Sequence, residues 1–145
     1  MTTVVVDASV AAKWVVPEII EPLAAQADRL LRAYAAGTVH ILVPDLFWLE
    51  IGNFLWKATR RREIAVEVAQ RSLEAMLSRG FPTVPTRSLL PDALKIAADF
   101  DRTVYDSAYV ALAVATQSEL ITADERLANA LAARFPVRWL GAFHQ

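Results

Sequence analysis

The stretch Thr3-Val4-Val5-Val6-Asp7-Ala8-Ser9 carries the reading of the fold. Its first four residues are all β-branched and run straight into an acid, the pattern of a short buried strand. Outward from it, helix-like and strand-like segments alternate. Pro22 opens a helical pattern with Leu23, Ala27, Leu30, Leu31 and Tyr34 on one stripe, and Gly37 closes it. Residues 39–43 read as a second strand, and a long apolar helix follows Pro44-Asp45. Residues 62–79 keep Ile64, Val68, Leu73, Met76 and Leu77 near helical spacing, with Gly80 as the stop. The pattern then predicts a short strand at 81–84, helices at 91–100 and 105–116, and a strand at 120–122. A helix at 124–133 and a last strand at 137–140 complete it. Residues 18–26 are less diagnostic. Strands alternating with helices predict an α/β domain built on a mainly parallel sheet.

At 145 residues the chain fits one domain, residues 1–145, and can bury a real core without disulfides or a structural metal. Apolar residues make up 55%, charged residues 21%, and mean hydropathy is +0.32, which excludes a disordered chain. Lys plus Arg (15) against Asp plus Glu (16) leaves a net charge of −1. No global positive field therefore draws the protein to nucleic acid or anionic membrane, and a polyanionic substrate would need local positive charge. The absence of cysteine excludes disulfides, a thiol nucleophile and Cys-ligated zinc, and suits a reducing cytosol. The longest wholly apolar stretch, residues 108–115, is far short of the roughly 20 residues a membrane span needs. The opening MTTVVVDASV has no basic segment ahead of its apolar run, as a signal peptide would. The expectation is a compact, soluble, cytoplasmic protein with no membrane contact.

Ligands in open α/β sheets gather at the carboxyl ends of the strands, and two acids belong there: Asp7 after VVV, and Asp124 two residues after LIT. Each also has a plain structural reading. Asp7 can cap the following helix. Thr103-Val-Tyr-Asp106 and Thr122-Ala-Asp-Glu125 both match a capping box, which makes Asp124 a first-turn carboxylate. Glu50 is different. In LFWLEIGNFLW (residues 46–56) Glu50 and Asn53 are the only polar side chains, so the helix should be largely buried. Glu50, Asn53 and Lys57 fall on one helical face. A carboxylate in such surroundings is paired, metal-bound or protonated, because an isolated buried charge is too costly. An ion pair with some Arg or Lys is the structural reading, and a function-bearing carboxylate the other. Four carboxylates meeting at one sheet edge would repel one another unless a cation joined them. Hard oxygen ligands of this kind suit Mg²⁺ or Mn²⁺ and phosphoryl chemistry.

These same positions resemble the PIN-domain ribonucleases, and among them the VapC-type toxins of bacterial toxin–antitoxin pairs. VVVDASVAAKW resembles the family's opening strand and first acid, Asp7, with Ser9 at a position that often carries a hydroxyl. VPDLFWLEIGNFLWK resembles the second motif, with Glu50 and Asn53; TVYDSAYVALA the third, with Asp106; LITADERL the fourth, with Thr122 and Asp124. The resemblance implies a three-layer α/β/α fold and a metal-dependent endoribonuclease. In it Asp7, Glu50, Asp106 and Asp124 bind Mg²⁺ or Mn²⁺, and Ser9, Asn53 and Thr122 orient them by hydrogen bonds. It further implies RNA as substrate, a homodimer and a cognate antitoxin that blocks the site.

Other features stay subordinate. Lys57 with Arg60, Arg61 and Arg62 forms a basic cluster, read first as a solvated helix end and second as a contact for the RNA backbone. Trp14, Trp48, Trp56 and Trp139 read as core or interface residues, and His40 and His144 have no triad partners. Asp92, Asp99 and Asp101 read as surface acids. A haloacid-dehalogenase-like phosphatase would want D-x-D where this chain has Asp7-Ala8-Ser9, and a phospho-receiver would want an acid pair and a late lysine. A non-catalytic PIN-like module that binds RNA or protein is the alternative from another class, and a scaffold would leave Glu50 without a purpose.

Overall fold

The computed structural model describes residues 2–16 and 22–144, so the first part of the segment 18–26 lies outside the described residues. Strand β1 (Thr2–Val6) occupies the middle of a five-stranded sheet of order β3-β2-β1-β4-β5, with β2 at Val39–Pro44, β3 at Thr83–Val84, β4 at Glu119–Thr122 and β5 at Val137–Trp139. All recorded pairings are parallel. Val4, Val5 and Val6 are fully buried, as expected of a strand covered by helices on both faces. The fold is therefore a three-layer α/β/α arrangement.

The helices are α1 (Ala8–Val15), α2 (Ala24–Ala35), α3 (Leu46–Arg60), α4 (Val66–Leu77), α5 (Leu90–Phe100), α6 (Val104–Ala115) and α7 (Glu125–Leu131). Helices α1–α4 pack among themselves, α5 pairs with α6, and α6 lies against β1, β2 and β4. The chain runs outward from β1 to β2 and β3, then returns to the other side of β1 to lay down β4 and β5. The switch in direction therefore falls between β1 and β4, the crevice where ligands of open α/β sheets bind. Pairing of Val6 with Ile121 sets Asp7 level with Thr122 there.

Three expectations are corrected. The helical pattern of residues 62–79 starts later, at Val66, because Arg62 takes a left-handed conformation (φ 60°) that ends the preceding turn and leaves Ile64 outside the helix. Helix α3 is not largely buried: Phe47, Ile51, Leu55 and Ala58 enter the core at helical spacing, while Leu49 and Trp56 are 77% and 54% exposed. Their exposure places apolar surface beside Glu50. Finally, Asp124 is itself the N-cap of α7, not a first-turn residue, because Thr122 is still paired in β4.

Gly141 is required by packing rather than by its backbone angles. A methyl group there would stand 2.4 Å from the Trp139 ring, which packs on the core beside it. Trp14 and Trp48 also pack on the core, so among the four tryptophans Trp56 is the exposed one.

Candidate functional site

The two strand-end acids are built the same way and joined by hydroxyls. Asp7 ends β1 and caps α1, its Oδ1 accepting from the Ser9 backbone N at 3.1 Å. The Ser9 hydroxyl also donates to Asp7 Oδ1. Ser9 Oγ in turn accepts from the Ala123 backbone N at 3.0 Å and lies 3.4 Å from Thr122 Oγ1. Thr122 Oγ1 accepts from the Asp124 backbone N at 3.1 Å, and Asp124 Oδ1 accepts from the Leu127 N at 3.2 Å to cap α7. A continuous line of polar contacts thus runs from Asp7 through Ser9 and Thr122 to Asp124, across the switch between β1 and β4.

Burial along this line is uneven. Asp7 is only 7% exposed and Thr122 is fully buried, whereas Asp124 is open to solvent. Burial is the largest influence on Asp7 and lifts its carboxyl from 3.8 to about 6. Hydrogen bonds from Ser9 and Thr122 oppose the rise and the charge of Asp106 adds to it.

Asp106 stands in the first turn of α6, where Thr103 Oγ1 accepts from its backbone N at 3.0 Å. Its own carboxyl is raised, first by burial and then by Asp124, while Arg102 pulls it down. Glu50 projects from α3 and accepts a 2.6 Å hydrogen bond from the hydroxyl of Tyr109 on α6. Burial raises Glu50 as well, the Tyr109 hydrogen bond lowers it, and Asp106 raises it again. Asp106 therefore acts electrostatically on Asp7 and Glu50 and itself feels Asp124. Among the described residues, no three His, Asp or Glu side chains stand at a spacing that would hold an ion as the side chains lie.

A cleft of about 530 Å³ opens beside Glu50, lined by Ser9, Leu49, Glu50, Asn53, Lys57 and Tyr105 among others. It confirms that Glu50, Asn53 and Lys57 share one face of α3. Asp7, Asp106 and Asp124 are not part of its lining. The four basic residues are divided. Lys57 faces this cleft, whereas Arg60 lies over the Trp56 ring at 5.4 Å, and Trp56 lines a second groove between α3 and α4. Arg61 and Arg62 occupy the exposed turn beyond α3.

Two residues near these acids escape a reading of the sequence. Tyr109 sits in an almost wholly apolar helix and looks like a core aromatic; the signal available is its polar tip, since a buried tyrosine hydroxyl needs a partner. Its hydroxyl is pushed far above the ordinary tyrosine range, first by burial and then by the charge of Glu50. Arg102 looks like a surface residue between helices, yet its Nε is buried without a hydrogen-bond partner among the described residues, and its charge acts on Asp106.

Comparison with known proteins agrees with this architecture. The family model described as the PIN domain matches residues 4–131. A curated relative, Ribonuclease VapC3 of Pyrobaculum aerophilum, is 38% identical over 128 residues, covering 86% of this chain and 92% of the relative. Among solved structures, the crystal structure of PAE2754 from Pyrobaculum aerophilum superposes with a TM-score of 0.67 at 25% identity, over 97% of this chain and 92% of the other. The family match spans β1 to α7 and so takes in all four acids. The chain belongs to the PIN-domain family and is of the VapC type.

Proposed function

We propose that the chain is a single nuclease domain, residues 1–145, that acts in the cytoplasm as a divalent-metal-dependent endoribonuclease. It is the toxin of a toxin–antitoxin pair, hydrolysing RNA phosphodiester bonds, working as a homodimer and held inactive by a cognate antitoxin. The observation that carries this reading is the line from Asp7 through Ser9 and Thr122 to Asp124 across the strand switch, with Asp106 acting on Asp7 and Glu50. Similarity to a protein named as a ribonuclease supports the choice of RNA.

The residues fit a divalent cation by their chemistry. They are hard oxygen donors, and Asp7 is a buried carboxylate raised to about 6 beside a second negative charge, which is a site short of positive charge. Asp7, Glu50, Asp106 and Asp124 would hold the ion. Mg²⁺ or Mn²⁺ bound there supplies positive charge for a scissile phosphate and lowers the pKa of nearby water.

The protein's own groups do the rest. Ser9 and Thr122 hold Asp7 in one orientation from both sides of the crevice. Asn53 lines the cleft with Glu50 and can hydrogen-bond water or phosphate entering it. Lys57 gives the cleft a cation for the RNA backbone, and Arg60, Arg61 and Arg62 extend that charge along the end of α3. This local charge meets the need left by a net charge of −1.

The test is cleavage of total and structured RNA by partner-free protein with Mg²⁺, with Mn²⁺ and with EDTA, comparing Asp7→Asn with the parent. Cleavage should need the ion and fall at least ~100-fold in Asp7→Asn, beyond the loss typical of groups that only support a ligand. A folded Asp7→Asn that cuts at the parent rate would remove Asp7 from the site. A folded parent that neither binds Mn²⁺ nor cuts would favour the non-catalytic binding module.

A further inference from the structure

We infer that Tyr109 is the positioning residue for Glu50, its hydroxyl occupying Oε1 at 2.6 Å and so fixing how the carboxylate is presented to the site. The inference rests on the reading of Glu50 as a functional carboxylate given above. Glutamate has three rotatable bonds, and Glu50 stands half-buried at the lip of an open cleft, where nothing in helix α3 itself restrains its carboxylate. The restraint comes from another part of the chain, 59 residues away. Tyr109 is 2% exposed, and Ser107 through Ala113 on either side of it are all buried, so the ring is held by the core.

The hydroxyl is a fixed donor. A phenol is protonated at neutral pH, so facing a carboxylate it can only donate. It is also the single polar atom of a buried side chain, which ties the hydrogen bond to the packing of α6 rather than to solvent. Asp106 lies three residues earlier on the same helix, hence on the same side. Helix α6 therefore carries one acid of the group and the restraint on a second, and any shift of that helix moves both together. The Ala8 backbone amide, next to Asp7, faces the same hydroxyl. Tyr109 thus stands where α1, α3 and α6 meet. Groups that orient a ligand in this way support metal affinity and activity by about 10–100-fold.

The experiment compares the parent, Tyr109→Phe, Glu50→Gln and the double variant, with Mn²⁺ binding by titration calorimetry and RNA cleavage resolved into kcat and KM. Tyr109→Phe keeps the buried ring and removes only the hydroxyl. It should weaken Mn²⁺ binding ~10-fold or more and lower kcat by about 10–100-fold, with KM little changed and the melting temperature within a few degrees of the parent. In the Glu50→Gln background it should cost nothing further, because the two residues act as one unit. Tyr109→Phe with parent binding and kcat, beside a defective Glu50→Gln, overturns the inference and leaves the site intact. Equal losses in both backgrounds also overturn it, since Tyr109 would then act through packing alone. A Glu50→Gln protein with parent behaviour overturns the role of Glu50 and the inference with it. A further readout leaves Tyr109 unaltered: with 13Cζ-labelled tyrosine, its resonance should move in Glu50→Ala, which removes the acceptor oxygen that Gln would keep, and an unmoved resonance overturns the hydrogen bond as the link.

Discussion

The junctions β1–α1 and β4–α7 are the same device used twice. In each, a parallel strand ends at an aspartate whose side chain caps the next helix, Asp7 through the Ser9 N and Asp124 through the Leu127 N. The strands are neighbours and the aspartates are linked through Ser9 and Thr122. Yet Asp7 is buried and has its carboxyl lifted to about 6, while Asp124 is open to solvent. The difference comes from position in the sheet. β1 is the central strand of the five with two strands on either side, and β4 lies one step outward, with only the three-residue edge strand β5 beyond it. The cap one strand from the edge is solvated, while the cap at the centre is left wanting a counter-charge. Local sequence supplies the carboxylate, and tertiary placement decides whether it is merely a cap or a group that calls for a cation.

The largest effect that could break this comparison is in stability. Folded Asp7 takes up its proton near pH 6 and the unfolded residue near 3.8, so between these values the folded state holds more protons. Stability therefore falls as pH rises through that window; the penalty is complete above about pH 6 and absent below about pH 4. The separation corresponds to up to about 3 kcal/mol. Metal-free Asp7→Asn, which keeps a capping oxygen, should be more stable than the parent at pH 7.5 by up to that amount, with the gap closing by pH 4. Denaturant unfolding of both proteins across pH checks it, and a destabilised Asn variant at pH 7.5 would show that Asp7 is adequately compensated as it stands.

Asp124→Ala should act in the opposite direction. It removes a solvated cap and should lower stability by about 1 kcal/mol at neutral pH. If both substitutions shift stability with the same sign, the two junctions do not differ in the way their burial implies. The smallest effect concerns the basic end of α3. Replacing Arg60, Arg61 and Arg62 together with Gln should leave stability nearly unchanged and reduce the salt slope of RNA binding by about 2, if each meets one phosphate. An unchanged slope would leave Lys57 as the cation serving the cleft.

Much of the fold was legible because its signals are local. Residues 3–6 are β-branched, Gly37 and Gly80 end helices with positive φ, and Pro44-Asp45 precedes a helix. Where the structure departs from the local pattern, the cause is non-local. The spacing of Thr122-Ala-Asp-Glu125 predicts Thr122 as a cap, but pairing with Trp139 holds it in β4 and moves the cap to Asp124. The composition of α3 predicts a largely buried helix because apolar composition does not say which side has a neighbour. The cleft beside Glu50 leaves Leu49 exposed, and Trp56 borders the groove to α4.

The sequence by itself determined the alternation of strands and helices and the acids at their junctions. It also carried the family, because strand composition, helix stops and caps are set by residues a few positions apart. Only the tertiary structure decided that Asp7 is buried while Asp124 is not, that Glu50 is restrained by Tyr109, and that the charge of Arg102 acts on Asp106. Burial, desolvation and hydrogen bonds between residues such as Glu50 and Tyr109, 59 positions apart, exist only once the strand order is fixed, and no local pattern encodes them.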